Sequence, residues 1–244
     1  YDTDGKLLQI FKIRALPTSA IIYKDLKIDN IIVGHISNGQ IKDYYEGKGE
    51  KMIMENNIKN VKDIYLAGGC FWGTEHFFKQ VRGVIKAQSG FVNGHIPNPT
   101  YKQVSTGTTG YAECVALTYD PTVLSFKKIL TLFFKTIDPT SLNKQGDDVG
   151  TQYRTGIYYI DAQQQQIAQS ALRRLAKSYT QPIVVECEPF RAFYPVESWQ
   201  NDYLDKFPNA ECHIAPEVLA NAKMANPIRL SGKRHSIRKM RKKL

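Results

Sequence analysis

A cysteine at the junction of an apolar stretch and a helical pattern is the first residue of this chain that could do chemistry. Ile64-Tyr65-Leu66-Ala67 reads as a buried strand, Gly68-Gly69 breaks it, and from Cys70 the spacing Cys70, Thr74, Phe77, Phe78, Val81 is helical. A thiol in the first turn of a helix meets free N–H groups and the positive end of the helix dipole. Both favour the thiolate, which is the nucleophilic form. Phe71 and Trp72 set apolar rings beside it, as an apolar ligand would require; a cysteine that merely fills core beside aromatics is the competing interpretation. Glu113 is the second candidate. It opens Glu113-Cys114-Val115-Ala116-Leu117-Thr118-Tyr119, among mostly apolar strand positions. A carboxyl in such surroundings has a raised pKa and can hold a proton at neutral pH, as a general acid must. An exposed strand-edge glutamate is the alternative. The remaining cysteines, Cys114, Cys187 and Cys212, form no C-x-x-C pair and no zinc-ligand spacing. Cys114 and Cys187 read as buried strand residues. His213, beside Cys212, would either lower that thiol's pKa or lie on the surface.

Longer motifs extend this set. Gly69-Cys70-Phe71-Trp72-Gly73 is followed by Asn98-Pro99-Thr100-Tyr101, by Thr109-Gly110-Tyr111-Ala112-Glu113, and by Gly146-Asp147-Asp148-Val149-Gly150-Thr151-Gln152-Tyr153-Arg154. In this order and with these gaps, the four segments resemble the methionine sulfoxide reductase A family, and the similarity runs from Ile64 to Ile214. The resemblance implies a nucleophilic Cys70 that attacks the sulfoxide sulfur and is left as a sulfenic acid. It implies Glu113 as proton donor, Tyr101 and Tyr153 as phenols that hydrogen-bond the sulfoxide oxygen, and Asp148 as a second acidic residue. Phe71 and Trp72 would seat the substrate's terminal methyl. Cys212 would be the resolving thiol, closing a Cys70–Cys212 disulfide that thioredoxin or another dithiol reduces. The family's substrate is the S epimer of methionine sulfoxide, free or in oxidised proteins, and no metal or organic cofactor is needed. One departure stands out: the family usually places Gly and an aromatic before the resolving cysteine, where this chain has Ala210-Glu211.

These residues need a framework. From Val61 the pattern predicts strand 62–67, helix 70–81, strands 84–92 and 112–119, helix 125–135, strand 154–160, helix 162–178 and strand 182–188. Ser125 and Asp161 are placed to cap their helices. The first six elements spell β-α-β-β-α-β, the split pattern of a ferredoxin-like core, within an α+β two-layer sandwich. Residues 93–110 and 140–150 are loops rich in Gly, Asn, Asp, Pro and Thr, where binding residues tend to lie.

Residues 1–46 read as strand, hairpin, strand and short helix and resemble the C-terminal half of a thioredoxin-like α/β domain, without its C-x-x-C half; the piece is either truncated or vestigial. Residues 47–60 are read as a linker, 61–215 as the reductase domain and 216–244 as a basic tail. The chain of 244 residues carries a net charge of +10, and eight of those charges fall within 228–244, where no acidic residue stands. The body is therefore near neutral, which argues against a specific nucleic-acid surface; the tail is expected to be solvated. No apolar run is long enough to span a bilayer, and a monomer is expected. The fused thioredoxin-like segment resembles bacterial multidomain reductases of the cell envelope, with the cytoplasm as the alternative compartment. Two other functions compete. A thiol hydrolase would need a histidine base, and His35, His76, His95, His213 and His235 show no recognisable pairing with Cys70. A degenerate binding module would use the tail in a salt-sensitive contact.

Overall fold

The computed structural model describes residues 61–227 and, ahead of them, the backbone of two strands, β1 (Thr18–Ile22) and β2 (Ile28–Val33). β1 and β2 pair antiparallel, with an irregularity between Ile21 and Ile22. The remainder of the thioredoxin-like reading of residues 1–46 and the linker at 47–60 lie outside the described residues.

The body is built on a six-stranded mixed sheet. Its strands are β3 (Lys62–Gly68), β4 (Val84–Val92), β5 (Ala112–Tyr119), β8 (Thr155–Tyr159), β9 (Glu186–Pro189) and β10 (Phe193–Pro195), in the spatial order β10-β4-β5-β3-β8-β9. β5 pairs antiparallel with both β3 and β4, so those two run parallel with β5 inserted between them. β8 is antiparallel to β3, and β9 parallel to β8. A two-residue ribbon, β6 (Lys144–Gln145) with β7 (Asp148–Val149), stands apart from this sheet.

Strand alternation sorts the side chains onto two faces. Ile64 and Leu66 of β3 and Val115, Leu117 and Tyr119 of β5 enter the main core. There they meet α1 (Phe71–Phe78), α3 (Phe126–Phe133) and α4 (Ala162–Ala176) through Phe71, Phe77, Phe78, Ile129, Leu130, Phe133, Ala168 and Ala171. Ala67, Val92, Ala112, Cys114 and Tyr158 form a smaller cluster on the other face, where Tyr65 stacks on Phe190 with ring centroids 4.0 Å apart. Odd-numbered residues of β5 thus face the helices, and Glu113 shares that parity.

The helix caps follow the sequence pattern. The Ser125 side chain accepts from the Lys128 N–H, and that of Asp161 from the Gln164 N–H. Helix boundaries are tighter than the apolar spacing predicts. α1 starts at Phe71, with Cys70 as its N-cap residue, and ends at Phe78. Several short elements carry too little periodicity to be read from sequence. These are α2 (Tyr101–Val104), the β6–β7 ribbon, a 3₁₀ turn at Thr151–Tyr153, α5 (Tyr203–Lys206) and α6 (Pro216–Ala220). The residues that follow Pro216, assigned to the tail on charge, fold back onto the body as far as Asn226. Val218, Leu219 and Ala225 pack on the core, and Asn226 Nδ2 donates to the carbonyls of Arg82 and Val123. Their apolar spacing outweighs the basic charge that follows them. No helix among the described residues is long and apolar enough to cross a membrane.

Candidate active site

Cys70 sits where β3 hands over to α1. The turn needs Gly69, whose φ of +80° puts it in the left-handed region, and a Cβ there would come 2.6 Å from Gln145 Cβ. The sequence alone predicts a thiol activated by the helix start. The structure reverses that expectation for the resting site. Cys70 is 9% exposed, and burial pushes its thiol well above the ordinary value, with Glu113 adding to the rise. The Trp72 amide, directed at the sulfur, works the other way and is outweighed. Loss of hydration is the larger effect, because a thiolate gives up more in leaving water than one amide returns.

Glu113 is 1% exposed, and its Oε2 accepts the Phe71 N–H at 3.1 Å. That amide is the first of α1, one of the four that have no partner within a helix. The cross-strand neighbour of Glu113 is Phe91, itself fully buried, so the carboxyl has an apolar wall and little water. Burial drives its pKa up to about 8; the Phe71 amide opposes this, and Asp148 adds to it. At neutral pH Glu113 is therefore an acid with a proton to give.

The two phenols converge on this pair from separate loops. Tyr101 opens α2, which is held by a capping box: Thr100 Oγ1 accepts the Gln103 N–H at 3.3 Å, and Gln103 Oε1 accepts the Thr100 N–H at 2.9 Å. The ring of Tyr101 lies 6.3 Å from that of Phe71. Tyr153 ends the Thr151–Tyr153 turn. Burial raises both hydroxyls, with Glu113 next and Cys70 also contributing, so both stay protonated donors. Asp148, on β7, is raised by burial, then by Asp147 and Glu211. It contributes to the rises at Glu113 and Cys70, which places it at the same site.

Phe71 is buried against Phe91, at 5.8 Å between centroids. Trp72 is partly exposed and stacks on Tyr203 at 3.7 Å, with its indole Nε1 unpaired. Cys212 lies against the same helix: a Cβ on Gly73 would come 2.5 Å from its Sγ. Burial raises its thiol, and Cys212 in turn contributes to the rise at Cys70. His213 is partly buried, with both ring nitrogens shielded from solvent, and loss of hydration lowers its pKa. Cys114 is fully buried and Cys187 half-buried, and both thiols are raised by burial.

Several supporting residues escape sequence reasoning. Arg154 donates to Glu186 from Nε at 3.0 Å, to the Thr151 carbonyl from Nη1 and to the Gly110 carbonyl from Nη2, tying the Tyr153 turn to the entry of β5. Its adjacency to Tyr153 in the Gln152-Tyr153-Arg154 motif was the available signal. Gln145 clasps both the N–H and the carbonyl of Asp138, fixing the ribbon that carries Asp148. Glu75, buried in α1 and raised to about 7 by loss of hydration, accepts the Asp202 N–H at 3.0 Å. Lys79 bridges Asp202 and Asp205 beside it. Together these hold the segment of Tyr203 against α1. Two surface clefts are lined by Ile137–Thr140 with Tyr179–Gln181, and by Asn93–His95 with Arg154, Glu186 and Arg191; neither includes Cys70 or Glu113.

A shielded thiol beside a protonated carboxyl, on a mixed sheet packed with helices, fits a cysteine-based oxidoreductase. The family described as "Peptide methionine sulfoxide reductase" matches residues 62–229, and this chain belongs to it. A peptide methionine sulfoxide reductase MsrA from Lachnoclostridium phytofermentans is 46% identical over 164 residues, covering 67% of this chain and 99% of its own. One from Pasteurella multocida is 49% identical over 150 residues, covering 61% and 86%. Among solved structures, reduced Mxr1 from Saccharomyces cerevisiae superposes with a TM-score of 0.62 at 31% identity, covering 65% of this chain and 93% of its own. Methionine sulfoxide reductase A of Corynebacterium diphtheriae gives 0.58 at 34%, covering 63% and 78%. The chain is an oxidoreductase that carries out thiol-dependent reduction of methionine sulfoxide.

Proposed function

We propose that this reductase acts on the S epimer of methionine sulfoxide, free or in oxidised proteins, through Cys70, Glu113 and Cys212. The observation that carries the reading is the protonated Glu113 carboxyl held on the first amide of α1, one residue beyond the Cys70 thiol. Glu113 gives its proton to the sulfoxide oxygen, while Tyr101 and Tyr153 donate to that oxygen and Asp148 keeps the surrounding field acidic. As S=O is polarised, Cys70 attacks the sulfur and its own proton leaves to the vacated Glu113. The oxygen transfers to Cys70: a thiol and a sulfoxide become a sulfenic acid and a thioether. Phe71 and Trp72 supply apolar surface for the thioether methyl. The Cys212 thiol then attacks the sulfenic sulfur, a disulfide forms, and water leaves. A dithiol such as thioredoxin reduces the disulfide. This sequence uses no metal or organic cofactor. The inserted position of β5 supports the ferredoxin-like reading of the core.

The test is reduction of a methionine-sulfoxide peptide, resolved into its epimers, with dithiothreitol as electron donor. The native chain is expected to consume the S epimer alone, and Cys70→Ser neither. Substantial reduction by Cys70→Ser would overturn the mechanism.

A further inference from the structure

We propose that His213 is the positioning residue that seats Cys212 over the first turn of α1. The proposal rests on the reading of Cys212 as the resolving thiol. The tripeptide Cys212-His213-Ile214 grips the site from two sides. Cys212 and Ile214 press on one bare Cα: a Cβ on Gly73 would lie 2.5 Å from Cys212 Sγ and 3.1 Å from Ile214 Cδ1. His213 turns the other way, into space left by two further glycines. A Cβ on Gly69 would lie 3.1 Å from its Cε1, and one on Gly146 2.9 Å from its Cβ. Gly69 and Gly146 both have positive φ, at +80° and +59°, so this hollow is built from backbone that other residues rarely adopt. The ring thus wedges between the turn that delivers Cys70 and the loop that delivers Asp148.

The fit of the ring to the glycine hollow is the main restraint on it. Neither ring nitrogen makes a hydrogen bond of normal geometry, although the Thr136 and Gly68 carbonyls lie close enough to favour protonation; loss of hydration outweighs them and keeps the imidazole neutral. The wedge is needed because the segment carries its own opposing charge. Glu211 lies close enough to Asp148 to raise its carboxyl, so an acidic group of the segment faces one on the β6–β7 ribbon. Shape, from His213 on one side and Ile214 on the other, offsets that repulsion. A thiol held in place gains the effective concentration that a loose segment lacks.

The experiment follows one turnover without reductant, measuring methionine released and, separately, the Cys70–Cys212 disulfide by peptide mapping. His213→Ala is expected to release one equivalent of methionine at the native rate. Its disulfide should form about tenfold or more slowly, the scale set by lost positioning, with a sulfenic acid that a 1,3-dicarbonyl probe traps. His213→Phe, which keeps a flat ring and loses both nitrogens, is expected to restore the disulfide rate. A native disulfide rate in His213→Ala overturns the proposal; so does an equal slowing of methionine release, which marks a general structural role, and so does failure of His213→Phe to restore the rate. Cys212→Ser in the same assay separates the two readings. It should release methionine and form no disulfide with Cys70; if an intramolecular disulfide with Cys70 still forms, the assignment of Cys212 itself fails, whatever His213 does.

Discussion

Glu113 shows how a single carboxyl is given a proton by its surroundings. Its unfolded value is the ordinary 4.5, and burial beside Phe91 raises it to about 8 in the folded chain. Two consequences follow with defined signs. The proton-donating form is lost as pH rises through about 8, so the methionine-forming step should decline on that limb. Because the folded value lies above the unfolded one, the contribution to stability is full below 4.5 and is lost as pH rises through about 8. The total is on the order of 4–5 kcal/mol for a fully buried group. Glu113→Gln keeps an acceptor for the Phe71 N–H but carries no titrating proton. Single-turnover kinetics should show that step falling by roughly 10²–10⁴, the usual worth of a general acid. Thermal melts from pH 5 to 9 should show a flatter stability profile than the native chain. An unchanged basic limb in Glu113→Gln would remove Glu113 from the proton-donor role. At this scale the sequence was informative about the carboxyl, whose apolar strand neighbours are visible in Glu113-Cys114-Val115. It misled about Cys70, because helix-start stabilisation is local while burial of the sulfur is not.

The elements of the sheet were the most legible part of the chain. β4 and β5 were predicted residue for residue, since Gly83 and Asn93 bound the first and Gly110 and Asp120-Pro121 the second. The caps of α3 and α4 were equally plain, because a capping side chain acts within three residues of itself. Asp161 offers a clean check: Asp161→Ala removes the acceptor of the Gln164 N–H, at 2.7 Å, far in sequence from Cys70. It should lower stability by about 1 kcal/mol, read in a urea titration, with the reductase rate per folded molecule unchanged. Loss of that rate would mean α4 is coupled to the site. Where the sequence reading failed, the element was a single turn or a two-residue strand, too short to show a period. α2 owes its one turn to the Thr100 capping box, and the β6–β7 ribbon is clasped through Gln145 onto Asp138.

Across the whole molecule, the groups of the proposed mechanism lie on separate pieces of chain that the sheet draws together: Cys70 after β3, Glu113 at the entry of β5, Tyr101 on α2, Tyr153 before β8, and Cys212 on the returning segment. That segment is fastened at several points, by Glu75 and Lys79 to Asp202 and, further on, by Arg82 and Val123 to Asn226. Deleting residues 216–227 strips Val218, Leu219 and Ala222 from the core and the Asn226 bonds from Arg82. Without them the melting temperature should fall and the Cys70–Cys212 disulfide should form more slowly, while methionine release in a single turnover persists. A deletion that melts and resolves as the intact chain does would show that this return segment stands apart from the reductase. The sequence by itself determined the strands, the longer helices and their caps, because these depend on periodicity and on contacts a few residues apart. Through motif order it also determined the family. Only the tertiary structure decided that the resting Cys70 thiol is raised, that Arg154 and Gln145 brace the site loops, and that the His213 ring sits in a glycine-lined hollow. Each of those depends on which distant backbone excludes water from a side chain, and no spacing along the chain records that.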